Sequence, residues 1–206
     1  VVTLVRTFVD PATPTDLDQV HALQDAIKVT QKNRGKFEVP NWDAASQKKA
    51  RAAILALAAM AGGFENAFGV KEQVDPIKHL IGTAAGWGGS PHRDITYLGV
   101  TPAKNDGNTV YQLIVKDVPV DAFWSISLYN AEGFFQKNDY NAYSINSRTA
   151  AKSPDGSVAV QFGGCDGQIP NCLPIMKGWN YTVRLYRPRP ILLNGKWKFP
   201  EPHAVN

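Results

Sequence analysis

The chain has 206 residues, 44% of them hydrophobic and 19% charged, with 22 Lys and Arg against 18 Asp and Glu for a net charge of +4. That length allows one good core with a helical annex, and so modest a charge does not mark a nucleic-acid binder, so no nucleic-acid partner is expected. The longest apolar run, "AAILALAAMAGGF", has 13 residues and follows "KKAR", short of the roughly 18 a membrane helix needs, so a buried helix and no membrane span are expected.

The first half reads as helical. In "TPTDLDQVHALQDAIKVTQKNRG" Thr15 stands three residues before Asp18, and Leu17, Val20, Leu23 and Ile27 recur at helical spacing up to Gly35. "NWDAASQKKARAAILALAAMAGG" is rich in helix formers. Asn41 is its expected cap, the Gly62-Gly63 pair its stop, and Ile54, Leu57, Met60 and Ala61 its buried side. A third, shorter helix is expected from Pro76 through "IKHLIGTAA" to Gly86.

After Gly89 the period changes to two. "DITYLGVT", "TVYQLIVK", "AFWSISLYN", "AYSINS", "SVAVQF" and "YTVRLYR" are short and rich in β-branched and aromatic residues, with turn signals such as "KNDGN" and "SPDG" between them. Consecutive strands without intervening helices imply antiparallel sheets. The expected fold class is therefore α+β, N-terminal helices packed on an antiparallel β-sandwich of jelly-roll type. The expected division is a helical segment over residues 1–89 and a sandwich domain with a C-terminal extension over 90–206.

Three features carry a family resemblance: the "VDAFWS" strand leading to "LYNAEGF", the "YSINSRT" segment, and the closing "VRLYRP" strand before "LNGKWKFP". Over residues 85–200 the chain resembles family 1214 of the domains of unknown function. The resemblance implies a jelly-roll-like sandwich preceded by helices, export from a bacterial cell, and a sister domain upstream in many members, one not recognisable in this chain. It implies no reaction and no catalytic residues. The chain opens on Val1 without a signal-peptide pattern, as a processed mature chain or a fragment does.

Cys165 and Cys172, the only cysteines, share the loop "GGCDGQIPNCLP". A structural zinc site needs four ligands in paired or clustered spacing, and redox catalysis prefers Cys-x-x-Cys at a helix start. A disulfide is the expectation and two free thiols the alternative, with no metal and no cofactor. A disulfide implies an oxidising compartment, periplasmic or extracellular.

Three stretches could carry chemistry. "GWGGSPHRD" places Ser90, His92 and Asp94 at alternating positions, on one face if extended. A hydrolytic triad draws its members from separate elements, so a glycine-rich lead into the first strand is the better reading. In "FWSISLYNAEGF", Trp124, Ile126 and Leu128 face the core, and Ser125, Ser127 and Tyr129 face outward, towards solvent or a polar pocket. Beyond them Asn146 and Arg148 of "NAYSINSR" offer amide and guanidinium groups for a polar ligand, or else ordinary turn chemistry.

The candidate ligand-binding set is thus Ser125, Ser127, Tyr129, Asn146, Arg148 and His92, with Arg148 as anchor. The third stretch, residues 177–198, holds six cations (Lys177, Arg184, Arg187, Arg189, Lys196, Lys198) and four aromatics (Trp179, Tyr181, Tyr186, Trp197) but no acid. It reads as a solvated sheet edge or a surface for an anionic glycan or lipid headgroup. The leading function is an exported, non-catalytic binding or assembly module for a small polar or anionic molecule, a glycan, a second copy or a sister domain. An ester or amide hydrolase of carboxylesterase type and a purely structural module are the alternatives.

Overall fold

The computed structural model describes residues 4–10, 13–36, 38–58, 60–61 and 63–205. Two compact units divide it, Val1–Trp42 and Asp43–Asn206. The first contains α1 (Asp16–Asp25). Its expected capping box does not form: Thr15 is itself helical in conformation and makes no side-chain cap bond. The helix also stops at Asp25 instead of reaching Gly35, where β-branched Ile27, Val29 and Thr30 follow and weaken helix propensity. Of its apolar residues only Val20 is buried; Leu17, Leu23 and Ile27 stay exposed.

The second unit opens with α2 (Ala44–Ala58) and α3 (Pro76–Gly86). The cap of α2 is Asp43 rather than Asn41: its carboxylate accepts from the amides of Ala45 and Ser46 at 3.2 and 2.8 Å. Hydrogen bonds from Ser46 and Ala45 hold the Asp43 pKa below the usual carboxylate range. α2 has no buried residue, and Leu57 and Met60 of the expected buried side are 57% and 85% exposed. Alanine-rich sequence favours helix on backbone propensity, so α2 forms with only the partial cover of α3, Ile54 half-buried and Arg51 Nε donating to the Ala84 carbonyl at 2.8 Å. Gly62 of the expected stop lies outside the described residues. α3 starts as expected at Pro76, capped by Asp75, which accepts from the amides of Ile77 and Lys78.

Eight strands follow: β1 (Ile95–Val100), β2 (Tyr111–Val115), β3 (Trp124–Tyr129), β4 (Ser144–Asn146), β5 (Val158–Phe162), β6 (Cys172–Leu173), β7 (Asn180–Tyr186) and β8 (His203–Ala204), with the short α4 (Pro190–Leu193) before β8. One sheet runs β1-β7-β3-β4 and the other β6-β5-β2-β8. The fold is α+β. Six strands fall where alternation placed them; β6, β8 and α4 are too short to leave a periodic signal.

Alternation explains the core. Trp124, Ile126 and Leu128 of β3 and Tyr181, Val183 and Leu185 of β7 meet Leu113 and Val115 of β2 and Val160 and Phe162 of β5 in one buried cluster. Phe162 stacks on both Trp179 and Tyr181, at 5.2 and 4.9 Å between ring centroids, joining the two sheets. Each such side chain contributes about 1.5–3 kcal/mol by leaving water.

One pairing departs from the antiparallel expectation. β6 runs parallel to β5, with Gln161 opposite Cys172 and Phe162 opposite Leu173. The chain turns back through residues 163–171, where Gly163, Gly164, Gly167 and Asn171 all take positive φ, a region open to glycine and tolerated by Asn. The Cys165–Cys172 disulfide closes this return. Parallel neighbours ordinarily need a crossover of a dozen or more residues; here the staple and left-handed turns make the return in fewer.

Replacing Cys165 and Cys172 together by Ser should lower unfolding stability by about 2.5 kcal/mol in the chain-entropy view of so short a loop, read as a lower urea midpoint. Gly178→Ala should cost about 1–3 kcal/mol by the same measurement, because Gly178 has φ 79° and an added Cβ would lie 2.7 Å from the Ala131 Cβ.

Candidate functional site

Residues directly opposite in an antiparallel pair share a face. On the outer face of the first sheet this gives one row of Tyr97, Arg184, Ser125 and Asn146, and a second of Gly99, Thr182, Ser127 and Ser144. β7 is paired on both sides, so Arg184 stands in the middle of the sheet and not at an edge. The solvated-edge reading of this arginine is therefore corrected. Edge or centre depends on strand order, which the local sequence does not encode.

Arg184 is half-buried, and its guanidinium lies along β3. Nη1 donates to Ser127 Oγ at 3.0 Å and Nη2 to Tyr129 Oη at 2.8 Å, with the Tyr129 ring centroid 6.0 Å away. Among the described residues the ion pairs are Lys36–Glu38, Arg93–Asp94, Lys116–Asp155 and Arg189–Asp121. None of them neutralises Arg184. A guanidinium has five N–H donors; two go to hydroxyls, which are themselves left with protons to donate. Ser127 is only 7% exposed beneath this arrangement. Beside it, no described residue other than its chain neighbours comes within 4 Å of where a Cβ on Gly99 would stand, so the floor next to Thr182 is open.

A wall rises from the loop after β3. Phe135 stacks on Tyr129 at 5.1 Å and packs against Tyr143 at 5.5 Å. Asparagines shape this loop: Asn130 Oδ1 accepts from the amides of Glu132 and Phe134, and Asn138 Oδ1 from those of Tyr140 and Ala142. Tyr140 Oη donates to the carbonyl of Cys165, tying the wall to the disulfide loop.

The six candidates separate. Ser127 and Tyr129 meet on Arg184, and Ser125 adjoins them on the same face without a bond to it. Asn146 lies in the row, but its Oδ1 is taken by the amides of Arg148 and Thr149, a turn role. Arg148 is exposed and donates to the carbonyl of Ala122 at 3.2 Å. It is neither in a buried ion pair nor among the groups that meet Ser127 and Tyr129.

His92 belongs to the other side of the sheet: its Nδ1 stands 3.5 Å from the hydroxyl of Thr96, which pairs with inward-facing Leu185. Residues 92–94 form a turn, not the extended run that would align Ser90, His92 and Asp94, and the Asp94 and Ile95 amides both donate to the Pro91 carbonyl. In the basic stretch, Trp179 and Tyr181 are core, Tyr186 stacks on Phe123, and Arg189 is paired with Asp121. Among the described residues no three His, Cys, Asp or Glu side chains gather as metal ligands would.

The cation that bonds to Ser127 and Tyr129 is Arg184 and not Arg148. Its outward position was legible in "YTVRLYR"; its neighbours across the sheet were not.

Residues 99–190 match the family described as Protein of unknown function (DUF1214). The crystal structure of the VPA0106 protein from Vibrio parahaemolyticus superposes with a TM-score of 0.61 at 20% identity, covering 98% of this chain and 58% of that one, a likeness of fold. An uncharacterised protein from Burkholderia cenocepacia matches with a TM-score of 0.37 at 16% identity over 81% of this chain and 44% of its own. The chain therefore spans 58% of the length of the Vibrio protein. No curated protein matches. Residues 99–190 thus form a domain of the DUF1214 family.

Proposed function

We propose that the chain is an exported, non-catalytic binding module that takes a small carboxylate-bearing molecule, an aromatic acid or a sugar acid, on the outer face of its first sheet. The observation that carries the reading is Arg184, a half-buried guanidinium held by Ser127 and Tyr129 with no carboxylate partner among the described ion pairs. Such a group presents convergent donors to an anion. Tyr129 and Phe135 supply a stacked wall on which a ring can lie, as at many sites where an apolar surface adjoins a few fixed polar groups.

Export is supported by the disulfide, since such bonds persist in oxidising compartments. The hydrolase alternative draws no support from geometry: His92 stands on the opposite side of the sheet from Ser125 and Ser127, so neither serine has it as a base. A sister domain or a second copy covering this face remains an outcome of the test.

Calorimetric titration with benzoate, galacturonate and benzamide should show binding of at least one acid, weakened by salt, and at least ~10-fold weaker binding of the neutral amide, the worth of one charge-assisted contact. Arg184→Met should remove acid binding while the thermal melt stays cooperative. Arg148→Ala should leave affinity unchanged, because that side chain bonds only to an exposed loop carbonyl. Absence of binding by both acids to the wild type, or equal affinity in Arg184→Met, would sink the reading.

A further inference from the structure

The inner face of the same sheet holds a second feature, independent of Arg184. Between β1, β7 and the chain's C-terminal segment lies a cavity of about 760 Å³. Leu98, Leu185, Leu192 and Phe199 make much of its wall. It is open to solvent on one side, and its volume falls in the range of clefts that hold drug-sized ligands.

Its polar groups are mostly satisfied. Tyr111 Oη accepts from the Lys104 amide at 3.1 Å, and Thr96 Oγ1 donates to the His92 carbonyl at 3.3 Å. Tyr181 is the exception. It is among the residues lining the cavity, is itself 0% exposed, and its hydroxyl, like Trp179 Nε1 in the same core, has no hydrogen-bond partner among the described residues. A buried hydroxyl without a partner is costly and uncommon, and this one, unlike Trp179 Nε1, belongs to a residue that lines the cavity, behind whose wall it lies.

The charge around it narrows the chemistry. Burial, and secondarily the Glu201 carboxylate, push the Tyr181 pKa up, so the group is a protonated phenol at every physiological pH, ready to donate. Glu201 opposes an anion at that point. Lys198, of opposite sign, also borders the cavity, and both side chains are exposed, so the pair leaves no net charge there to favour an anion.

We infer that this cavity binds a neutral, mainly hydrocarbon molecule bearing one acceptor oxygen, a ketone, ester or ether, which takes the hydrogen bond of Tyr181.

Two matched probes test this on the full chain, 4-phenylbutan-2-one and butylbenzene, which differ by the carbonyl. Binding is followed by amide chemical shifts of Leu98 and Leu185 and by displacement of N-phenyl-1-naphthylamine fluorescence. The ketone should bind at least ~10-fold more tightly than the hydrocarbon, as one buried hydrogen bond implies. Tyr181→Phe should remove that preference, leave butylbenzene binding unchanged, and melt no lower than the wild type because it deletes an orphaned polar atom.

A second reading needs no variant: the carbonyl carbon of 13C-labelled ketone should move downfield on binding, as a hydrogen-bonded carbonyl does. No binding by either probe, a preference that survives Tyr181→Phe, or a bound carbonyl resonance at its free position would each overturn the inference. None of these outcomes bears on acid binding at Arg184, because the two faces are assayed with different molecules.

Discussion

The register of β7 is the constraint on which the rest depends. It is paired along its length with β1 on one side and β3 on the other, and its inward residues Tyr181, Val183 and Leu185 are completely buried. Strand side chains alternate with a period of two, so fixing those three inward fixes Thr182, Arg184 and Tyr186 outward. A slip of one residue would bring a guanidinium into the core and expose the tyrosine that stacks on Phe162. The cost of burying that charge makes the register secure. Tyr181 and Arg184, the focal groups of the two faces, are thus placed by one and the same strand.

Alternation also explains which parts of the fold could be read in advance. "YTVRLYR" buries every second residue, and "FWSISLYN" does so except that Ser127 is buried as well, so their strands and faces were legible. α1 was overread because Leu17, Leu23 and Ile27 keep helical spacing without a surface to cover them, and spacing records a possibility of burial rather than burial itself. In α2 the same gap appears more strongly: alanine makes the helix on backbone grounds, and the apolar composition says nothing about what lies against it. β6 and β8 are two residues long, recruited by the disulfide loop and by the edge of β2, and no local pattern marks such pieces.

The candidate site was legible as a face and not as a constellation. Parity correctly grouped Ser125, Ser127 and Tyr129. The cation that meets them is 55 residues from Tyr129 in sequence, and only the strand order β1-β7-β3-β4 brings it there. Arg148 looked closer because it follows β4 directly, yet the turn that Asn146 builds carries it away to the Ala122 carbonyl. His92 is parted from that group for the related reason that Thr96 and Tyr97, adjacent in sequence, look to opposite sides of β1, and it borders the inner cavity instead.

The C-terminal segment couples the two sheets and shapes the inner cavity. After β7 the chain leaves the first sheet, forms α4, sends Phe199 edge-on to Trp124 at 6.2 Å and Trp197 edge-on to Phe199 at 6.0 Å, and then joins the second sheet as β8 beside β2. Gln112 pairs with His203 and Tyr111 with Ala204, so the end of the chain is held by the strand that carries Tyr111 into the cavity. A sandwich whose two sheets met fully along this margin would leave no space beside Tyr181. Here the crossing segment takes the place of sheet-to-sheet contact, and its aromatic and proline residues span the gap without filling it. The cavity is therefore a consequence of the connection from β7 to β8, and its hydroxyl a consequence of the β7 register.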